Sequence, residues 1–263
     1  MLKAMQNALS DIRAGFRLWR VWVALASEDI GDQHKSTILG PLWQLISYLT
    51  FAGVFIFIIK PRGADAPDYV VYAATGLLVW LYMMETLGRS VTLFAREGSF
   101  IKGTALPLTV YVMRLAMQTV LRTAYASLGY IGILVASGTP VTLAWVWAVL
   151  GILLIFATTP AAITIFAFLG AYFPDSQFIV NNLMRVGMFL TPVFWTYDGT
   201  GGVRHAFYWW NPFTYFLDVV RTPILSGEVP ALPLAVCAAV CVIAWVIAIG
   251  LLGRYRKQVV FML

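Results

Sequence analysis

The chain has 263 residues, 60% of them hydrophobic and 11% charged, with a mean hydropathy of +0.81 and a formal net charge of +6. So few polar residues could not cover the surface of a water-soluble fold, which excludes an ordinary soluble domain and points to a multi-pass membrane protein. The length accommodates about six spans of roughly 20 residues with their connections and leaves no stretch for a soluble domain of ordinary size.

Residues 1–10 lack an apolar core followed by a small-residue cleavage site, so no cleaved signal peptide is expected. Residues 1–36 are predicted to form a cytoplasmic amphipathic helix and its connection. Met5, Leu9, Ile12, Phe16, Trp19 and Val23 recur at alternating intervals of four and three and share one stripe, while Arg13, Arg17 and Arg20 line another. Such a helix lies in the membrane interface with Trp19 and Trp22 at headgroup level, either as a simple anchor or also as a collar against a cytoplasmic partner.

Residues 37–263 read as a single domain of six transmembrane helices, an all-α membrane protein. The spans are placed at Thr37 to Ile59, Tyr69 to Leu93, Thr109 to Ser137, Thr142 to Phe173, Gln177 to Tyr197 and Leu234 to Leu252. Outside them, Lys3, Arg13, Arg17, Arg20, Lys35, Arg96, Lys102, Arg254, Arg256 and Lys257 fall on one side. Only Lys60, Arg62, Arg204 and Arg221 fall on the other. The richer side belongs to the cytoplasm, so both termini are expected there. The net positive charge is thereby a topology signal, and no nucleic-acid partner is expected.

Ionisable groups inside spans are costly and mark either helix contacts or function. Glu85 and Arg89 stand four apart on the second span, and Arg114, Gln118 and Arg122 form a stripe of the same spacing on the third. They can pair with one another across a helix contact. Alternatively they line a cytoplasmic entrance, where guanidinium groups attract an anionic group such as a phosphate or diphosphate. Arg185 sits about ten residues into the fifth span, near mid-membrane at a rise of about 1.5 Å per residue, and must face protein, water or substrate.

Between the second and third spans, residues 94–108 carry Arg96, Glu97, Phe100 and Lys102. Gly103 and Pro107 separate a short helix there from the next span. An ordinary charged turn would have the same composition. Residues 198–233 are too polar and too proline-broken to span. Around them gather Trp195, Tyr197, Phe207, Tyr208, Trp209, Trp210 and Phe213, which can form a headgroup-level belt or stack on passing sugar rings. Cys237 and Cys241, four apart in an apolar run, read as packing thiols. With only His34 and His205 in the chain, neither a metal site nor a catalytic constellation is expected.

Five motifs, in this order and spacing, resemble the permease subunits of type-2 ABC exporters, in particular those for O-antigen, capsular polysaccharide or teichoic acid. They are Leu39-Gly40-Pro41-Leu42-Trp43, the Arg96 to Lys102 and Leu106 to Arg114 segments, Phe189 to Trp195, and Trp210-Asn211-Pro212-Phe213. The resemblance covers essentially the whole chain. It implies a homodimer bound to two copies of a cytoplasmic ABC ATPase in the bacterial inner membrane. The channel would lie between the protomers, and the substrate would be a lipid-linked polysaccharide, O-antigen first among the candidates. It makes residues 94–108 a coupling loop on the ATPase and turns residues 198–233 into re-entrant helices that form an external gate.

ATP and Mg would be bound by the partner ATPase. This chain has no G-x-x-x-x-G-K-[ST], because Thr104 follows Gly98 and Gly103 where the lysine should stand. Leu225-Ser226-Gly227-Glu228 also lacks the glycine and glutamine that would complete an ABC signature. The expectation is a transport subunit that is not an enzyme. Two other readings are a permease of the same architecture for a drug or simple lipid, and a membrane-embedded transferase. The transferase, unlike an exporter, would keep its activity without an ATPase.

Overall fold

A computed structural model describes residues 2–33, 35, 37–58, 66–197, 199 and 201–262, and these hold helices and no strand. The helices are α1 (Leu2–Arg17), α2 (Trp19–Gln33), α3 (Trp43–Ile58) after a 3-10 turn at Gly40–Leu42, α4 (Ala66–Val91), α5 (Leu93–Arg96), α6 (Gly98–Gly103), α7 (Leu108–Ala136), α8 (Trp145–Tyr172), α9 (Ser176–Leu190), α10 (Val203–Trp209), α11 (Pro212–Leu225) and α12 (Ala231–Met262). Ile59, Lys60, Arg62, His34, Ser36 and Asp198, which entered the sequence reading, lie outside the described residues.

Among the described residues, five helices have the length and apolar composition of a span: α3 with its leading turn, α4, α7, α8 and α12. The most apolar of them is the least buried, and the most buried is far less apolar. The span in α12 has mean hydropathy 2.8 and is 11% buried, whereas that in α4 has 1.5 and is 67% buried. A surface facing lipid must be apolar all round, while a helix enclosed by protein can carry polar groups that neighbours satisfy. Thus α4 is the axis of the molecule, packed against α3, α7, α8, α9 and α11. At its end α8 crosses so closely that a Cβ on Gly170 would lie 1.7 Å from the Val91 carbonyl oxygen.

Three elements differ from the sequence expectation. The predicted fifth span is the 15-residue α9, only about 22 Å long against a hydrocarbon core of about 30 Å. It ends because Pro192 disfavours helical backbone at the residue before it, and Thr191 is extended with ψ 145°. The N-terminal helix is two helices broken at Leu18. Its buried face is Ala8, Asp11 and Gly15, which leaves Met5, Leu9, Phe16 and Trp19 of the predicted stripe pointing outward. Small residues of the helix thus seat on the protein and its large apolar ones are exposed. Asp11 fixes the seat by accepting from the Thr109 backbone N–H (3.1 Å) and hydroxyl (2.7 Å) at the start of α7.

The third difference, after α9, is the placement of Arg221. The segment from residue 203 to 225 is a helical hairpin joined at Trp210 and Asn211. The Asn211 side chain accepts from the Phe213 N–H (3.0 Å) and Pro212 occupies the first turn, so α11 starts where capping chemistry places it. Thr214, Phe216, Leu217, Val219, Val220 and Arg221 are buried against α4, α8 and α12. Arg221 therefore belongs to a helix inside the protein and not to the exposed connection in which its charge was counted.

Candidate functional site

A cavity of about 550 Å³ opens between α3, α4, α7 and α9, and it gathers Glu85, Arg89, Arg122 and Arg185 with Tyr48 and Asn181. Glu85 Oε1 accepts from Arg122 Nη1 (2.7 Å) and from Arg89 Nε (3.0 Å). The Arg122 side chain is only 1% exposed, and Nη2 donates to Gln33 Oε1 on α2 (2.6 Å). Arg185 is exposed toward the same space and makes no ion pair among the described residues. Three guanidinium groups thus surround one carboxylate. The pairing expected across a helix contact is present, since Glu85 ties α4 to α7, and cationic charge remains in excess.

Arg114 and Gln118 are not in that cavity. Arg114 donates to both Asp29 oxygens at 2.6 Å from Nε and Nη2, and from Nη1 to Glu97 Oε2 at 2.9 Å. Gln118 also donates to Asp29. A bidentate carboxylate on one flank and a second carboxylate on the other make Arg114 a bridge between α2 and the loop after α4. Asp29 and Gln33 were missed in the sequence. They are spaced four apart, matching the stripe on α7, but nothing in the chain sets the register of two separate helices.

That loop is the pair α5 and α6. Leu93, Phe94 and Ile101 are buried beneath it, with Phe94 edge-on to Phe168 at 5.3 Å. Glu97 also takes Arg96 at 3.2 Å. Phe100 stands half exposed, edge-on to Tyr111 at 6.0 Å, and Lys102 is exposed. The loop is rigidly seated inward and presents Arg96, Phe100 and Lys102 outward.

At the other end of α4, Arg221 is 2% exposed and makes no ion pair among the described residues. Its guanidinium donates to the carbonyls of Pro192 (2.5 Å), Val193 (2.7 Å) and Tyr72 (3.1 Å) and lies 3.8 Å over the Tyr72 ring. Tyr72 donates to the Pro192 and Trp195 carbonyls, Tyr69 to that of Phe194, and Asn211 to the Thr191 hydroxyl. The irregular turn after α9 is thereby pinned by side chains from α4 and α11. Gly76 is required beside it, because a Cβ there would fall 1.6 Å from Arg221 Nη2.

The predicted aromatics divide into groups. Tyr197 stacks on Tyr208 (4.8 Å), which meets Trp209 edge-on (5.5 Å) and donates to Asp218 (2.9 Å). Trp195 lies under Arg204 at 5.7 Å. Phe213 turns inward, edge-on to Trp80 at 5.6 Å. Phe207, Trp209 and Trp210 are exposed, Trp210 by 86%.

A bundle of apolar helices long enough to cross a membrane, holding a cavity lined by three arginines and one glutamate, defines a multi-pass membrane protein. Residues 21–225 match the ABC-2 type transporter family, and the chain belongs to that family. It is a permease subunit of a bacterial inner-membrane ABC transporter, with ATP hydrolysis residing in a separate subunit. Among known proteins it is similar to the O-antigen export system permease protein RfbA of Klebsiella pneumoniae, at 26% identity over 216 residues that cover 80% of this chain and 82% of the relative. A second RfbA from that species is 24% identical over the same extent. The polysialic acid transport protein KpsM of Escherichia coli is 23% identical over 228 residues, 82% of this chain and 86% of the relative.

Proposed function

We propose that this permease moves a lipid-linked polysaccharide, O-antigen first among the candidates, outward across the inner membrane. It works as a homodimer with two copies of a cytoplasmic ATPase that binds ATP and Mg. The observation that carries this reading is the cavity in which Arg89, Arg122 and Arg185 outnumber Glu85. A phosphate or diphosphate linking lipid to sugar carries charge into the membrane, and planar guanidinium groups match its oxygens while resisting deprotonation. The names of the relatives, which export O-antigen and transport polysialic acid, support a glycan as cargo.

In this reading α9 with the turn behind it completes the sixth crossing, both termini face the cytoplasm, and α5 with α6 seats on the ATPase. The hairpin of α10 and α11 dips in from the outside as the gate. Its aromatic faces offer sliding contacts to sugar rings. Arg114 and Gln118 leave the substrate entrance and join the bridge from the interfacial helix to the coupling loop. Arg185→Gln tests the reading cleanly, because it removes a charge that leaves no carboxylate orphaned. The expected outcome is reduced export and reduced substrate-stimulated ATP hydrolysis at an unchanged melting temperature and intact assembly with the ATPase. Undiminished export would remove the cavity from the substrate path.

A further inference from the structure

A second cavity has different chemistry. It is a crevice of about 390 Å³ between α7 and α8, floored by α4 and the end of α11, with Val120, Tyr130 and Leu134 facing Ala148, Ile152 and Phe156. The residues flanking its mouth, Ile131 and Val149, are exposed by 52% and 56%. They stand on helices apolar enough to cross a membrane, so the medium at the mouth is hydrocarbon. Hydroxyls near the lining satisfy one another: Thr75 with Tyr130 at 2.8 Å, and Tyr82 with Thr159 at 2.6 Å. Water would find too few partners to stay in such a space.

One polar group at the crevice is unmatched. Trp145, in the first turn of α8, has a buried indole N–H with no acceptor among the described residues. It lies at the end of the crevice marked by Leu134, where α7 gives way to the turn before α8. From there to Val120 is about 21 Å of helix, somewhat more than half of a hydrocarbon core of about 30 Å. The crevice therefore has the depth of one leaflet, an apolar lining, and a lone donor at the depth where lipid esters lie.

We propose that this crevice binds one acyl chain of a bilayer phospholipid from the leaflet on the side of the α7–α8 turn, with the Trp145 indole donating to its ester carbonyl. The chain end then rests against Leu78, Tyr82 and Thr123, which also form part of the wall of the cationic cavity. The site does not depend on what that cavity carries.

The test uses purified protein in dioleoyl phosphatidylcholine vesicles containing a small fraction of phosphatidylcholine with a diazirine at the terminal acyl carbon. Irradiation followed by peptide mapping should label Val120, Thr123 or Phe156 at the crevice floor. Ala148→Trp, which fills the crevice, should abolish that labelling at an unchanged melting temperature. Trp145→Phe, which keeps an aromatic ring and removes the donor, should lower it severalfold and decides the matter if the first variant does not fold. Labels confined to Ile131 and Val149 at the rim would overturn the proposal, as would floor labelling that neither variant reduces. Cross-linking of the rim to a second copy of the chain in place of lipid would also overturn it.

Discussion

The two ends of α4 handle buried arginine in opposite ways. Near Glu85, guanidinium groups meet carboxylates, and each carboxylate is shared: Glu85 between Arg89 and Arg122, Glu97 between Arg96 and Arg114, Asp29 between Arg114 and Gln118. Near Tyr72, Arg221 meets backbone carbonyls and an aromatic face. Shared ion pairs can exchange partners at little cost, which suits the proposed passage of motion from α5 and α6 to α2. Once the guanidinium leaves, the Val193 carbonyl has no other donor among the described residues and that of Pro192 keeps only the Tyr72 hydroxyl, so that end is a fixed pin. The charge is tolerated there because several dipoles and a π face share its solvation and the Asp218 carboxylate stands one turn back on α11.

The largest expected effect breaks the pin. Arg221→Met strands the Val193 carbonyl in a buried setting and leaves that of Pro192 with the Tyr72 hydroxyl alone, and should cost about 3 kcal/mol of stability, read as a large fall in melting temperature in detergent. Arg221→Lys should recover only part of this, since one ammonium cannot reach the positions the planar fork spans. Full recovery by lysine would show that charge alone matters at this end, and the contrast between the two regions would collapse.

A smaller effect is expected at the exchangeable end. Arg122→Gln leaves Glu85 with Arg89 and should destabilise, while the double change with Glu85→Gln should restore much of the loss, with a coupling of about 0.5–3 kcal/mol. Strict additivity of the two single changes would mean that the pair is not energetically joined.

Much of the fold was legible because apolar composition is a local property. The ends of α4 and α7 fall within a few residues of the expected spans. The early end of α9 was not, since Val193, Phe194 and Trp195 continue the apolar run past the point where Pro192 stops the helix. At the site, Glu85, Arg89, Arg122 and Arg185 were recognisable because charge inside an apolar stretch is conspicuous in any context. Asp29 and Gln33 were not, as their role depends on how α2 lies along α7. Arg221 escaped notice because its acceptors are backbone carbonyls, which every residue possesses and no motif announces.

The coupling loop should respond in function and hardly in stability. Arg96→Glu or Phe100→Asp alters side chains that face outward, so folded yield and melting temperature should hold while substrate-stimulated ATP hydrolysis and export fall. A fully coupled complex purified with either variant would count against docking at α5 and α6. The smallest effect belongs to the exposed aromatics. Trp209→Tyr and Trp210→Tyr should keep most export because a stacking face remains, whereas leucine at either position should reduce it or make the resting channel leak small solutes. Equal behaviour of leucine and tyrosine, with no leak, would leave only a headgroup belt.

The most direct measurement of the central claim is transport by the reconstituted complex. The permease and its ATPase would be placed in vesicles loaded from one side with a glycan linked to polyprenyl diphosphate, and appearance of the glycan on the opposite face would be followed with an impermeant lectin. Appearance that requires both ATP and the ATPase, and that falls in Arg185→Gln, is the expected result. Glycan that reaches the far side without the ATPase, or that is chemically altered by the permease alone, would contradict it.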